Sequence, residues 1–330
     1  MTTDYLPKIS HTEDGSDRRV GIEIEFTGLE LQEAAALIGS ELNQKPQPVS
    51  DYELEIEDDD TDEPWRIERD QDLLKRLGRA REDADFEASL VDSTLESALN
   101  LGAKLVVPLE LISPPLPMER MNDFQNIVKR LHDAGATGTS DSFLYAFGLQ
   151  FNPEVPALNA KTVLRYLQAF ACLQEWLFER SQLDLARQIT RYTAPFPTSY
   201  VEQIIAENYA PSLEQLMDDY LAANPTRNRA LDMLPLFAHL DEDRVRATID
   251  DARIKSRPTF HYRLPNSEIG DPQWSIFVAW RDWLKIETLV TEPKKLDELK
   301  ALCKKHLDKP LGGILPGLAE QTDKWLRQNL

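Results

Sequence analysis

The chain has 330 residues, of which 42% are hydrophobic and 28% are charged, a globular balance that argues against wholesale disorder. Its 57 acidic and 37 basic residues give a net charge of −20, which disfavours general nucleic-acid binding but not binding of a nucleotide through metal ions. Two cysteines exclude a disulfide framework and a cysteine zinc cluster. With no apolar run of about 18 residues and no signal-peptide core at the N-terminus, we expect a cytoplasmic protein without membrane or nucleic-acid partners.

The N-terminal half is predicted to contain most of the strands. Residues 1–17 are polar and predict a flexible arm. The alternation of RRVGIEIEF at 18–26 predicts a strand with Glu23 and Glu25 on the face opposite its apolar side chains. Further along, we predict a helix at 29–43, a hairpin at 51–70 with a solvated acidic turn, a helical or irregular stretch at 71–101, a buried strand at 104–116 ended by two prolines, a helix at 117–135, a turn at 135–142 and a strand at 144–152.

From about residue 159 the apolar period changes to 3.6 and predicts a helical portion. One strand, PTFHYRLPN at 258–266, interrupts it. Because strands from both ends of the chain must meet in one sheet, we predict a single α+β domain over residues 18–330. The helices are predicted at 159–184, 198–208, 211–223, 227–239, 242–253, 273–290, 293–307 and 316–329.

Four predicted strands carry polar side chains on the face opposite their apolar residues. If these faces align in one sheet, carboxylates cluster on it, and such a cluster is costly without a counter-charge. Oxygen ligands of this type suit Mg²⁺ or Mn²⁺ rather than zinc, and Mg²⁺ commonly binds together with phosphate. The cluster consists of Glu23, Glu25, Glu110, Gln150, Asn152, His261 and Arg263.

Several of these positions also have a structural interpretation. An E-x-E strand is by itself typical of a solvent-facing edge, and His261 fits a buried histidine with satisfied hydrogen bonds. Arg263 is also compatible with a simple ion pair to an acidic neighbour. Glu110 is harder to explain in this way, because a charge inside the apolar run LVVPLELI is rarely without a role. The joint pattern, rather than any single strand, favours a functional site.

Several segments occur in an order that resembles the amidoligase family of the carboxylate–amine ligase superfamily, to which glutamine synthetase and glutamate–cysteine ligase belong. The resemblance spans about residues 18–290. The segments are GIEIEF, W-x-x-x-x-D from Trp65 to Asp70, VVPLELISPPL, YAFGLQFNPE, NPTRNRALDMLPLF at 224–237 and RPTFHYRLPNSEI at 257–269.

The resemblance implies a glutamine-synthetase-like antiparallel sheet, curved into a partial barrel with helices on its outer face. It also implies ATP and Mg²⁺ or Mn²⁺ on the concave face. Such ligases phosphorylate a substrate carboxylate, and an amine then attacks the acyl phosphate, giving an amide, ADP and phosphate. The implied partners are small-molecule or peptide carboxylates and amines.

Residue roles follow from the same resemblance. Glu23, Glu25 and Glu110 match metal ligands, and Arg263 matches an arginine that stabilises phosphoryl charge. Gln150 stands where relatives often carry histidine. His261, taken as the second catalytic candidate, stands where the superfamily tends to carry glutamate. The predicted nucleotide contacts are Gln150, Asn152, Asn224 and Arg227.

Other motif residues have two interpretations. Asp70 is expected to face the site, and Asn228 to contact a substrate carboxylate or phosphate. Asn224 and Arg227 equally fit the punctuation of two helices. We predict core positions for Leu231, Met233, Leu234, Leu236 and Phe237, and a helix-packing face for Trp274, Trp280 and Trp283.

Three function classes remain open on the sequence. The leading one is an ATP- and Mg²⁺-dependent, ADP-forming acid–amino acid ligase. The second is a non-catalytic relative with a regulatory role, which Gln150 and His261 favour. The third, a metal-dependent hydrolase, lacks a supporting H-x-D or D-x-x-x-D cluster. No local motif identifies the two substrates.

Overall fold

A computed structural model describes residues 4–69, 107–139, 147–181, 193–308 and 317–330. Within these ranges, nine strands form one sheet in which every strand pair is antiparallel. The strand order is β2-β3-β4-β5-β1-β7-β9-β8, and β6 pairs with the start of β1. The strands are β1 (Arg19–Phe26), β2 (Gln47–Ser50), β3 (Glu53–Ile56), β4 (Trp65–Arg69), β5 (Leu109–Ile112), β6 (Leu116–Pro117), β7 (Leu149–Pro153), β8 (Leu231–Asp232) and β9 (His261–Tyr262).

The central strand β1 shows how the sequence pattern sets the two faces of the sheet. Its four apolar side chains are fully buried, whereas Glu23 and Glu25 are only half-buried on the other face. The same alternation recurs in β5, where Leu109 and Leu111 are buried and Glu110 is half-buried. The strands predicted at 18–26 and within 104–116 are confirmed, and the sheet has one apolar and one polar face.

Helices cover the apolar face. Phe124, in the helix Met121–Asp133 (α2), stacks on Trp65 of β4 at a ring-centroid distance of 5.7 Å. Trp280, in the helix Ile276–Thr291 (α8), lies 5.2 Å from Phe151 of β7 between ring centroids. The helical portion predicted from about residue 159 is confirmed. The helices are α1 (Leu31–Leu42), α2 (Met121–Asp133), α3 (Ala160–Arg180), α4 (Thr198–Ile205), α5 (Leu213–Ala223), α6 (Leu234–Leu240), α7 (Glu242–Thr248), α8 (Ile276–Thr291), α9 (Pro293–Leu307) and α10 (Leu318–Asn329).

Three predicted elements differ from the structure by several residues, and the simplest case is the helix predicted at 242–253, which ends at Thr248. The helix predicted at 227–239 is wrong in its first half: residues 231–232 form β8, which pairs with β9, and α6 begins only at Leu234. The strand predicted at 258–266 is reduced to the two residues of β9, flanked by isolated bridges of Thr259 to Glu154 and of Asn266 to Gly148. The short exposed strand β2 was not predicted from the sequence.

The acidic turn of the β3–β4 hairpin is not wholly solvated, contrary to the prediction. Asp58 is only 8% exposed. Its Oδ2 accepts hydrogen bonds from Trp65 Nε1 and Arg120 Nη2, both at 2.9 Å. The carboxylate therefore anchors the turn to the beginning of α2, whereas Asp59 and Asp60 are exposed.

The N-terminal segment contacts the sheet and its helices. Tyr5 packs on Phe277, with ring centroids 5.0 Å apart, and its carbonyl oxygen accepts a hydrogen bond from Trp280 Nε1 at 2.7 Å. The flexibility predicted for residues 1–17 stays a prediction. Across the described ranges, the helices are all too short or too polar to cross a membrane.

Some predictions lie outside the described residues. They are the stretch at 71–101, residues 104–106 of the predicted buried strand, residues 140–142 of the turn, residues 144–146 of the strand at 144–152, and the orientation of Asp70. The antiparallel sheet with helices is confirmed. Its closure into a partial barrel of the glutamine-synthetase type stays a prediction.

Candidate active site

A row of four carboxylates crosses the polar face of the sheet. The strand registers place Glu25 of β1 opposite Glu110 of β5, Glu110 opposite Glu68 of β4, and Glu68 opposite Glu53 of β3. Directly opposed side chains on neighbouring strands lie about 5 Å apart at Cβ, and like charges there are destabilising. Arg66 Nη1 lies 3.9 Å from Glu53 Oε1 at one end of the row, and bound cations would stabilise the remaining carboxylates further.

A second polar row runs beside the first. Glu23 of β1 lies opposite Gln150 of β7. Asn152 Nδ2 donates to Glu23 Oε1 at 2.7 Å, and Arg257 Nη2 donates to Asn152 Oδ1 at 2.8 Å while lying 3.6 Å from Glu23 Oε1. Asn152 thus orients both the Glu23 carboxylate and the Arg257 guanidinium.

A buried polar chain continues from Gln150 away from β1. His261 Nε2 and Gln150 Oε1 are hydrogen-bonded at 2.8 Å. On the other side of the ring, His261 Nδ1 lies 3.6 Å from Asp232 Oδ2, a distance too long for a hydrogen bond. Among the described residues, neither Nδ1 nor Oδ2 has a hydrogen-bond partner.

Burial controls the protonation of this pair. It raises the pKa of Asp232 from 3.8 to about 6, against the opposing effects of Arg263, the Leu234 backbone N–H, Arg227 and Arg257. Burial, reinforced by the same three arginines, holds the pKa of His261 well below its ordinary value of 6.5. The imidazole is therefore neutral near pH 7.

Cations converge on this end of the polar face. Arg263 Nη1 donates to the carbonyl oxygen of Arg227 at 2.6 Å, which holds the two arginines side by side. Burial and the neighbouring Arg263 both lower the pKa of Arg227. Two close guanidinium groups at a half-buried position are suited to binding an anion.

The two rows and the cations line one cleft with a volume of about 500 Å³, a size typical of small-molecule sites. Of the nine site residues predicted from the sequence, seven line it: Glu23, Glu25, Glu110, Gln150, Arg227, His261 and Arg263. Asn152 reaches the cleft through its hydrogen bonds to Glu23 and Arg257.

The structure does not place Asn224 among the described lining residues of the cleft. Its backbone caps the C-terminus of α5, and its Nδ2 donates to the carbonyl oxygen of Tyr220 at 3.2 Å. Asn228 is also outside the lining, and its backbone N–H donates to Thr226 Oγ1. These contacts of Asn224 fit the interpretation in which it marks the end of a helix.

The predicted helix-packing face is confirmed for Trp280 and Trp283 but not for Trp274. Trp280 and Trp283 of α8 are fully buried, whereas Trp274 precedes the helix and is half-buried. The five predicted core positions between Leu231 and Phe237 are also fully buried.

The sequence analysis missed Asp232, which is buried beside His261 and does not line the cleft, and several residues that do line it. Asp232 was hidden inside an apolar segment taken as core, although the argument used for Glu110, a charge within an apolar run, also applies to it. Glu68 alternates with apolar neighbours in β4 and could have been found in the same way. The other missed residues lining the cleft include Glu53, Arg66, Arg69, Arg253, Lys255 and Arg257.

Whether a metal ion fits can be judged from the donor set. Over the described ranges, no group of three or more His, Cys, Asp or Glu side chains converges into a complete metal cage. Mg²⁺ does not require one, because it is usually held by one or two carboxylates together with waters and substrate phosphates. The opposed pair Glu25 and Glu110 fits that mode of binding.

The chain was compared with protein families, curated proteins and solved structures. Residues 16–285 match the model of the family described as "putative amidoligase enzyme", in agreement with the ordered segments of the sequence. No curated protein and no solved structure matches the chain. Because the match covers most of the chain, the protein belongs to the amidoligase family, and this membership indicates a ligase-type enzyme.

Proposed function

We propose that the protein is an ATP- and Mg²⁺-dependent carboxylate–amine ligase that forms an amide or peptide-like bond through an acyl phosphate. One observation carries the proposal. In a member of the amidoligase family, a single cleft combines a row of carboxylates with several arginines, and Arg227 and Arg263 lie beyond one end of the row. Phosphoryl transfer from ATP to a carboxylate brings together a polyphosphate and a second anion, which require both metal ions and fixed cations.

Each side of the cleft has a distinct role in this proposal. Glu25 and Glu110 would hold Mg²⁺, and the bound ion would neutralise part of the phosphate charge. Glu23 Oε1 already accepts a hydrogen bond from Asn152, which in turn accepts one from Arg257, so Glu23 would use its other oxygen at the metal site. Arg227 and Arg263 bind the anionic oxygens of the transferring phosphoryl group or the acyl substrate.

The reaction proceeds in two steps on the substrates. A carboxylate oxygen attacks the terminal phosphorus of ATP, the bond to ADP breaks, and an acyl phosphate forms. The neutral amine then attacks the acyl carbon, inorganic phosphate leaves with the bonding pair, and the nitrogen loses a proton. The cleft provides carboxylates that can accept this proton, and it orients both substrates beside the nucleotide.

A second candidate function is a nucleotide- or metal-binding relative with a regulatory role. It is favoured by the pairing of His261 and Gln150, which hydrogen-bond each other within the buried chain. In that case, the cleft would bind a nucleotide or a metal ion without catalysing a reaction.

Incubation with Mg²⁺, ATP and pools of acids and amines distinguishes the two. ADP release that requires both an acid and an amine supports the ligase, whereas nucleotide binding without product supports the regulatory relative. With the substrate carboxylate labelled with ¹⁸O, one labelled oxygen is expected in the released phosphate. Amide product with no label in phosphate would contradict the acyl phosphate.

A further inference from the structure

One aromatic side chain stands at the mouth of the charged cleft. Tyr52 lies in the tight connection between β2 and β3, and it is the only Phe, Tyr or Trp among the described residues that line the cavity. Tyr52 is 52% exposed. Within the described part of the chain, no aromatic ring packs on it and its hydroxyl has no hydrogen bond.

The backbone that carries Tyr52 is nevertheless held in place. Its N–H donates to Ser50 Oγ at 3.2 Å, and its carbonyl oxygen accepts a hydrogen bond from the Arg69 N–H at 2.9 Å. The hairpin is further fixed by the pairing of β3 with β4. Because the backbone of Tyr52 is already fixed, little conformational entropy is lost when a flat ligand packs against its ring.

The position of Tyr52 relates it to the carboxylate row. It directly precedes Glu53, the first member of the row, and the next members lie on β4, β5 and β1. At about 4.8 Å per strand, Glu25 is three strands or about 14 Å from β3, which is comparable to the span of an extended nucleoside triphosphate. Arg227 and Arg263 lie beyond, at the far end of the cleft.

The chemistry of the cleft therefore changes along its length. An aromatic ring stands at the hairpin end. Carboxylates suited to a metal–polyphosphate lie in the middle, together with Arg66 and Arg69 of β4, and further cations lie at the end next to β9. A nucleoside triphosphate has the same order, with a flat base, a polyphosphate and a reacting terminal group.

We propose that Tyr52 is the stacking platform for the base of the nucleotide, which lies across the sheet from the β2–β3 hairpin towards Arg263. The proposal rests on the proposed function, since it takes the nucleotide to be the ligand of this cleft. Stacking on an aromatic ring accepts any base, so the Tyr52 contact stabilises binding of the purine ring without selecting between adenine and guanine.

Calorimetric binding of Mg²⁺–ATP and of Mg²⁺ with inorganic triphosphate tests the assignment on the full chain. Tyr52→Ala is expected to weaken ATP binding by about 5- to 150-fold and to leave triphosphate binding unchanged. Tyr52→Phe, which keeps the ring, should bind ATP like the wild type. Val49→Ala is the matched control, because Val49 is 54% exposed on the same hairpin and does not line the cavity.

The outcomes separate the two proposals. Unchanged ATP affinity in Tyr52→Ala, or an equal loss for ATP and triphosphate, overturns the stacking assignment and leaves the ligase proposal standing. Failure of the wild type to bind either ligand overturns both.

Discussion

Asp232 gives the sharpest test of the electrostatics of the cleft. It is fully buried, and burial raises its pKa from 3.8 to about 6. At 1.36 kcal/mol per pH unit, ionised Asp232 therefore destabilises the folded protein by about 3 kcal/mol. Asp232→Asn removes the charge and keeps an oxygen that can accept the Leu234 N–H, which is bonded to Asp232 Oδ1 at 3.0 Å.

The sign of the pH dependence follows from the direction of the shift. Because the native carboxyl binds its proton more tightly than the unfolded one, this group makes the free energy of unfolding fall as the pH rises from about 4 to about 6. Asn does not ionise and shows no such fall. The variant should therefore gain stability relative to the wild type with rising pH, by about half of the full 3 kcal/mol at pH 5 and nearly all of it at pH 8.

Urea unfolding followed by tryptophan fluorescence between pH 5 and pH 8 measures this difference. Asp133→Asn at the exposed end of α2 is the matched control and should show no comparable trend. A stability difference between Asp232→Asn and the wild type that is the same at pH 5 and pH 8 would refute the raised pKa. It would also show that the arginines near Asp232 outweigh its burial.

Glu25→Gln should weaken Mg²⁺ and ATP binding together in calorimetry without lowering the free energy of unfolding, since it removes one of several like charges. The control is Glu33→Gln, at an exposed position of α1. Full ATP affinity at limiting Mg²⁺ would contradict the metal assignment. Arg263→Lys keeps the charge and loses the planar fork, so steady-state kinetics should show a larger fall in kcat than in ATP affinity; an unchanged kcat would assign Arg263 a structural role. Glu287→Gln leaves Arg18 buried without its 2.9 Å ion pair and should cost about 3–5 kcal/mol of unfolding free energy in urea titrations. A loss below about 1 kcal/mol would show that Arg18 is satisfied by the carbonyl oxygens of Ile9 and Glu154, to which its guanidinium also donates.

The sequence by itself determined the local elements and the two faces of the strands. Alternation in β1 placed Glu23 and Glu25 opposite a fully apolar face, and that face is buried as predicted. The 3.6-residue period identified the helical portion, and the ordered motifs identified the family. These features depend on residues close together in the chain, where periodicity and side-chain chemistry act directly.

Only the tertiary structure decided which polar residues meet. Glu25, Glu110 and Glu68 form one row because of the register between β1, β5 and β4, and a shift by one residue would have turned a strand's polar side chains to the other face. Asn224 and Arg227 are three positions apart in one motif, yet only Arg227 lines the cleft. Asp232 belongs to the site because the two-residue strand β8 pairs with β9. Such pairings are set by packing between distant segments, which no local pattern in the sequence encodes.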